Sequence, residues 1–214
     1  MSDAAGTRLD RAVARVPPAA WRACGAVGFT VALAHRLRTR ATYPLEALFW
    51  LETAVPALIL AAYLTRPPPV RPARGADGVL LPFAAAGLPF LFLNPPFTPW
   101  AQAHPELFAL LLIPPTALMV AGYLALNRSY ALMAEARALV TRGPYAWMRH
   151  PVYTAQLACG AVVVAFRFSG ANLALFLAFA YIQHTRANAE EAALREAFPD
   201  AWAAYATRVK RYWP

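Results

Sequence analysis

The sequence is poor in charged residues. Only 14% of its 214 residues are charged, against about 25% in soluble globular domains. Together with 59% hydrophobic residues, this low charge is typical of a chain that lies in a lipid bilayer. The length suits a single domain and leaves no room for a large soluble catalytic domain beside a membrane bundle. Any chemistry is therefore expected at the membrane surface.

Cysteine and lysine are also scarce. The two cysteines, Cys24 and Cys159, both fall in apolar runs and are interpreted as small buried hydrophobic residues. No set of His, Cys, Asp or Glu has metal-ligand spacing, so no metal site is predicted. The net charge of +9 comes almost entirely from arginine, since Lys210 is the single lysine. A basic surplus can indicate nucleic acid, but these arginines flank apolar runs, which favours membrane lipids over nucleic acid as partners.

Long apolar runs account for most of the chain. A spanning helix needs about 20 residues, and the second and fourth of the six runs satisfy that requirement. The runs cover about 19–35, 44–64, 79–94, 105–126, 152–167 and 170–186. The pattern predicts an all-α, polytopic transmembrane bundle of five to six helices, of which the last two form a helical hairpin. The first run has two alternatives. It could be a surface helix, since Arg22 interrupts it, or a cleaved signal, because Ala32-Leu33-Ala34 resembles a signal-peptidase site after an apolar core.

We interpret residues 1–214 as a single membrane domain. Its N-terminal transmembrane helices occupy 1–126 and a cofactor-binding region occupies 127–214. The positive-inside rule places the loop at 127–151 and the tail at 187–214 in the cytoplasm, which suits a multi-pass protein of a bacterial inner membrane. The tail is expected to form one amphipathic helix with an apolar side and several exposed basic residues. The apolar side comprises Ala193, Phe198, Trp202 and Tyr205, and the basic residues are Arg195, Arg208, Lys210 and Arg211.

The densest polar cluster lies at 137–153. Gly143-Pro144 breaks any helix there, and Pro151 suits the first turn of a new one. Arg149 and His150 then stand just before a helix N-terminus, where backbone N–H groups favour an anion. Aromatic side chains in the same stretch offer flat surfaces for a purine or a sulfonium cation: Tyr145, Trp147 and Tyr153. The alternative is an interfacial loop that anchors the chain among lipid headgroups.

A second polar cluster follows the last apolar run. Gln183, Arg186 and Glu190 share one helical face by the i, i+3, i+4 rule, and Glu191 stands beside them. The alternative interpretation is an exposed Arg186–Glu190 pair that contributes little. Glu52 lies inside the second apolar run, where an acid is a candidate substrate contact. Its alternative role is a hydrogen bond between helices.

Three motifs carry a family resemblance. Leu139-Val140-Thr141-Arg142-Gly143-Pro144-Tyr145 comes first, then Arg149-His150-Pro151-Val152-Tyr153, then Glu190-Glu191. Their order between apolar segments resembles the isoprenylcysteine carboxyl methyltransferase and phospholipid methyltransferase superfamily, over about residues 120–214. The resemblance implies S-adenosylmethionine as the cofactor, held by the C-terminal region at the cytoplasmic surface.

The resemblance also implies residue roles. Arg186 falls on the family's substrate-side arginine and is the candidate catalytic residue, while Arg149 and Glu52 are further candidate substrate contacts. By motif position, the implied cofactor-binding residues are Ala138, Leu139, Val140, Tyr145, His150, Pro151, Tyr153 and Glu190. The implied acceptor is a lipophilic small molecule or a lipidated molecule that reacts through a carboxylate, amine or thiol. Three departures weaken the transfer of a prenylcysteine substrate: Arg137, Tyr130 and Pro199 replace the family's usual His, amide residue and Gly.

Two other functions remain as alternatives. A membrane reductase of the sterol-reductase type, which uses NADPH, also has an Arg-His motif near its C-terminus. Pro151 and Val152 occupy the stretch where such reductases carry Asn before the Tyr, which favours methyl transfer. The second alternative is non-enzymatic, a small membrane transporter or assembly factor. The sequence leaves the identity of the acceptor and the oligomeric state open.

Overall fold

The computed structural model describes residues 8, 13, 15–38, 40, 45–73, 75–92 and 95–212. Within these residues the chain is helical and has no strand, which confirms the predicted all-α class. The helices, in chain order, are α1 Pro18–Arg38, α2 Glu46–Thr65, α3 Gly75–Gly87, α4 Pro99–Gln102, α5 Pro105–Leu126, α6 Pro151–Phe166, α7 Gly170–Ala197 and α8 Pro199–Arg208.

The two longest apolar runs form the two most hydrophobic long helices. α2 and α5 are the helices in the described part of the chain that are long and apolar enough to cross a membrane. α3 and α6 are apolar but shorter. Pro105 and Pro151 occupy the first turns of α5 and α6, where the missing N–H of proline removes no helical hydrogen bond. The proline-rich third run forms a helix only to Gly87 and then a 3-10 turn over Leu88–Leu91.

The end of the chain differs from the prediction of one amphipathic tail helix. α7 continues for 28 residues to Ala197, well beyond the apolar run. A separate short helix, α8, then begins at Pro199, because proline fits a first helical turn but not a helix interior. The apolar side of α8 is buried as expected, and Trp202 and Tyr205 are each only 3% exposed. The prediction of a single tail helix is therefore wrong, while its buried face is confirmed.

Glycines allow two helix pairs to approach closely. A Cβ atom added at Gly122 of α5 would lie 2.6 Å from Val152 Cγ2 of α6. A Cβ atom added at Gly25 of α1 would lie 2.6 Å from the ring of Tyr63 on α2. Small residues at such crossings bring backbones together, as is typical of membrane helix pairs. The contacts hold α1 on α2 and α5 on α6.

Backbone hydrogen bonds fasten the irregular segments to one another. Ala136 accepts from the backbone N–H of Val70 and donates to Arg71, so the loop that follows α5 lies on the loop that follows α2. Arg149 N–H donates to the Lys210 carbonyl (2.9 Å) and His150 N–H donates to the Arg211 carbonyl (3.1 Å). The turn before α6 and the segment after α8 therefore lie side by side.

Candidate active site

A cavity of about 590 Å³ lies between the helices and the loop that follows α5. Seven of the eight predicted cofactor-binding residues line it: Ala138, Leu139, Val140, Tyr145, His150, Tyr153 and Glu190. The eighth, Pro151, is fully buried in the first turn of α6 and does not line the cavity. The candidate substrate residues Arg186, Arg149 and Glu52 also line it. Residues from three separated motifs thus share one wall.

Arg186 is buried, with 8% of its surface exposed. Its Nη1 donates to Gln183 Oε1 (2.8 Å) and its Nη2 donates to the Leu132 carbonyl (3.2 Å). Its guanidinium lies 4.9 Å from the centre of the Tyr153 ring. Glu190 accepts a hydrogen bond from the Tyr153 hydroxyl instead (2.7 Å). The interpretation of Arg186 and Glu190 as an exposed pair is therefore wrong.

Two glutamines fix the orientation of Arg186. Gln183, which holds the guanidinium, donates through its own amide to Gln156 Oε1. Gln156 Nε2 in turn donates to the Tyr123 hydroxyl (3.3 Å). The sequence interpretation missed Gln156 and Tyr123. An isolated amide inside the apolar run of α6 was the available signal, because polar groups at membrane depth tend to be functional or paired.

The aromatic residues of the Gly-Pro-Tyr loop divide between the cavity and the surface. Tyr145 is 8% exposed, and its carbonyl accepts a hydrogen bond from the Tyr205 hydroxyl (2.7 Å). Burial raises the pKa of the Tyr145 phenol well above its usual value, so the ring stays neutral. Trp147 is 65% exposed and does not line the cavity. Trp147 therefore does not share the cavity wall with Tyr145.

Glu191 is the centre of a cluster of cations. His150 Nε2 donates to its Oε1 (2.9 Å), and the same oxygen lies 3.2 Å from Arg149 Nη1 and 3.2 Å from Arg211 Nε. Burial acts to raise the pKa of Glu191, but the His150 hydrogen bond and the arginine charges outweigh it and lower the pKa. The prediction that left Arg211 to water or headgroups is wrong. The cluster positions His150, whose ring stacks on Tyr153 at 5.3 Å.

The Ala138–Val140 stretch is extended and lines the cavity. Its backbone N–H and carbonyl groups form no backbone hydrogen bond with the residues that the structure describes. Leu139 packs on Trp202 and Tyr205 of α8, which holds the stretch in place. Backbone groups without partners beside a cavity suit the hydrogen-bonding edges of a small polar ligand.

The comparisons with known proteins bear on this region of the chain. The model of the isoprenylcysteine carboxyl methyltransferase family matches residues 108–196. A search of curated proteins found no match. The matched residues run from α5 to the end of α7 and contain all three motifs together with Arg186, whereas α1–α4 and α8 lie outside them. The match bears out the resemblance over residues 108–196 and supports a membrane methyltransferase in general.

Proposed function

We propose that this protein transfers a methyl group from S-adenosylmethionine to a lipid-like or isoprenoid-linked acceptor. The observation that carries the proposal is the cavity, whose wall combines Arg186 with residues from all three motifs. The proposal includes five or six membrane-crossing helices with the site on the cytoplasmic side. It also includes a carboxylate, amine or thiol as the reacting group of the acceptor.

The cavity wall fits the chemical groups of S-adenosylmethionine. When bound, this cofactor would supply the methyl group on its sulfonium sulfur, with the acceptor–carbon bond forming as the carbon–sulfur bond breaks and S-adenosylhomocysteine as the leaving group. The extended Ala138–Val140 backbone offers donors and acceptors for the edges of a base. Tyr145 adds an aromatic surface that burial keeps neutral. Glu190 places a carboxylate on the wall, which suits a cationic or hydroxyl-bearing ligand.

Arg186 is the group that orients the acceptor. Its guanidinium is planar and carries five N–H donors, of which the Gln183 and Leu132 contacts use two. Such a group can hold a carboxylate or phosphate oxygen in one geometry. Orientation and desolvation of the reactants supply most of the rate enhancement of a direct displacement.

Cofactor binding tests the proposal directly. Calorimetry on the purified protein in detergent should detect binding of S-adenosylmethionine and of its demethylated product, and should detect no binding of NADPH. Binding of NADPH alone would instead support a membrane reductase. Folded protein that binds neither form of the methyl donor would overturn the proposal.

Glu190→Gln tests the acidic part of the wall. Loss of a charge-assisted hydrogen bond costs about 1.5–3 kcal/mol, so affinity for the demethylated cofactor should fall between about tenfold and a hundredfold. Glu106→Gln is the matched control, because Glu106 is an exposed acid at the start of α5 and does not line the cavity. Equal affinities in the two variants would exclude contact between Glu190 and the cofactor.

A further inference from the structure

A second charged site lies in the wall of the same cavity. Arg36 of α1 and Glu52 of α2 form an ion pair with 2.6 Å between Nη2 and Oε2. Both residues line the cavity. Their side chains remain 29% and 19% exposed, so the pair is accessible and not sealed in the protein interior.

The pair stands far from Arg186. Arg186 donates a hydrogen bond to the Leu132 carbonyl. Leu132 lies in the loop that follows α5, and this loop lies beside the C-terminal end of α2, since its Arg137 donates to the Pro67 carbonyl (3.0 Å). Glu52 is the seventh of the 20 residues of α2. The path along α2 from Glu52 to Arg66 is about 20 Å at about 1.5 Å per residue. Leu132 also packs in one buried cluster with Ile59 and Tyr63 of α2, so the two polar ends of the cavity are separated by about 10–20 Å along α2.

The wall between the two ends is mostly apolar. It is formed by aliphatic and aromatic side chains of α1, α2 and α5, among them Phe29, Val55, Ile59 and Met119. A ligand that reaches both ends must therefore carry an apolar chain between two polar groups. A ligand that ends in hydrocarbon would displace water from the charged pair and offer no hydrogen bond in return. Binding of such a ligand is therefore unfavourable at this end of the cavity.

The charged pair belongs to the part of the chain outside the family match. α1 and α2 precede residues 108–196, so the reacting end and the distal end come from different parts of the sequence. An ion pair at membrane depth is costly, and such pairs tend to face a cavity and mark a ligand path. Arg36 can donate a hydrogen bond and Glu52 can accept one, so together they match a hydroxyl group, which does both.

We propose that Arg36 and Glu52 bind a polar, hydrogen-bonding group at the distal end of the acceptor. The acceptor is then an amphiphile with polar groups at both ends of an apolar chain that spans about 10–20 Å. The identity of this ligand as the methyl acceptor rests on the proposed function, whereas the binding preference of the cavity does not.

Two lipid probes of equal chain length test the preference: ω-hydroxyhexadecanoic acid and hexadecanoic acid. Binding to the protein in nanodiscs is measured for each, with the signal of empty nanodiscs subtracted. The parent protein should bind the hydroxylated probe about tenfold more tightly, as expected for a hydrogen bond to a charged group. Equal affinities for the two probes in the parent protein would overturn the proposal.

The double variant Arg36→Leu/Glu52→Leu should abolish the tenfold preference. It removes both charges together, so neither is left buried without a partner. The control is Arg40→Leu/Glu46→Leu, which removes an ion pair of the same 2.6 Å length whose side chains are 58% and 67% exposed. Neither control residue lines the cavity, so this variant should keep the preference.

A preference that persists in the Arg36→Leu/Glu52→Leu variant would show that the pair only fastens α1 to α2. The charge-reversed variant Arg36→Glu/Glu52→Arg retains both a donor and an acceptor and should keep the preference. Calorimetry with S-adenosylhomocysteine on the same samples separates the two proposals. A parent protein that binds S-adenosylhomocysteine but shows no hydroxyl preference overturns the distal site alone. A parent protein that shows the preference but does not bind S-adenosylhomocysteine overturns the methyltransferase proposal alone.

Discussion

Neutralising Glu191 should destabilise the protein, because one oxygen of this carboxylate joins three segments. Oε1 accepts from His150 and lies 3.2 Å from both Arg149 and Arg211. It thereby ties α7 to the turn before α6 and to the segment after α8. Glu191→Gln keeps the size and shape of the side chain and removes its charge. The substitution therefore tests the electrostatic contribution with little change in packing.

The magnitude follows from the burial of each partner. The His150 side chain is 4% exposed, so loss of this charge-assisted hydrogen bond should cost about 1.5–3 kcal/mol. The Arg149 and Arg211 side chains are 19% and 24% exposed, so solvent screens their ion pairs and each adds less than about 1 kcal/mol. A total of about 2–5 kcal/mol lowers the Tm of a chain of this length by roughly 4–20 °C.

Thermal unfolding in detergent, followed by tryptophan fluorescence, measures the effect. Glu190→Gln is the neighbouring control, since Glu190 contacts Tyr153 (2.7 Å) and lines the cavity. It should lose cofactor affinity with a smaller change in Tm, whereas Glu191→Gln should show the larger fall in Tm. Indistinguishable Tm values for Glu191→Gln and the parent protein would refute the stabilising role of the cluster.

Three further outcomes are expected. The pKa of Glu191 is lowered from 4.5, so the carboxylate contributes fully to stability above about pH 4.5 and loses this contribution as the pH falls through the lower pKa of the folded protein. Acid titrations should therefore show a steeper loss of stability in the parent protein than in Glu191→Gln. Arg186→Lys should keep affinity for the demethylated cofactor and lose methyl transfer, since lysine lacks the planar fork; equal turnover would exclude an orienting role. Gly122→Ala should destabilise by about 1–3 kcal/mol, because its Cβ would meet Val152 at 2.6 Å. Gly28→Ala is the control and should not destabilise the protein, because a Cβ atom added at Gly28 has no neighbour within 4 Å. Equal unfolding curves for the two glycine variants would contradict the close crossing of α5 and α6.

The sequence predicted the central helices well because long apolar runs determine them. The runs at 44–64 and 105–126 became Glu46–Thr65 and Pro105–Leu126, and proline fixed the start of the second. The predicted end of the last run, at residue 186, marks a change in polarity and not the end of a helix. α7 continues to Ala197, since the residues after Arg186 are rich in strong helix formers such as Ala, Glu and Leu.

Motif order indicated seven of the eight predicted cofactor-binding residues that line the cavity, whereas the contacts that support these residues lie beyond any local pattern. Glu191 meets His150 and Arg211, which are 41 and 20 positions away along the chain (191 − 150 and 211 − 191). Spacing rules on a helix reach only three or four residues. Gln156 supports Arg186 through Gln183 on a different helix. Such contacts depend on how helices pack, and helix packing is not written in any single segment.

The pairing of residues 149–150 with residues 210–211 has a consequence for genetics. A stop codon or frameshift shortly before Lys210 would leave every family motif intact in the sequence. The encoded chain would nevertheless lack the carbonyls that hold the Arg149–His150 backbone and the Arg211 side chain that faces Glu191. Such an allele would score as a functional gene by its motifs and should behave as a null allele in the cell.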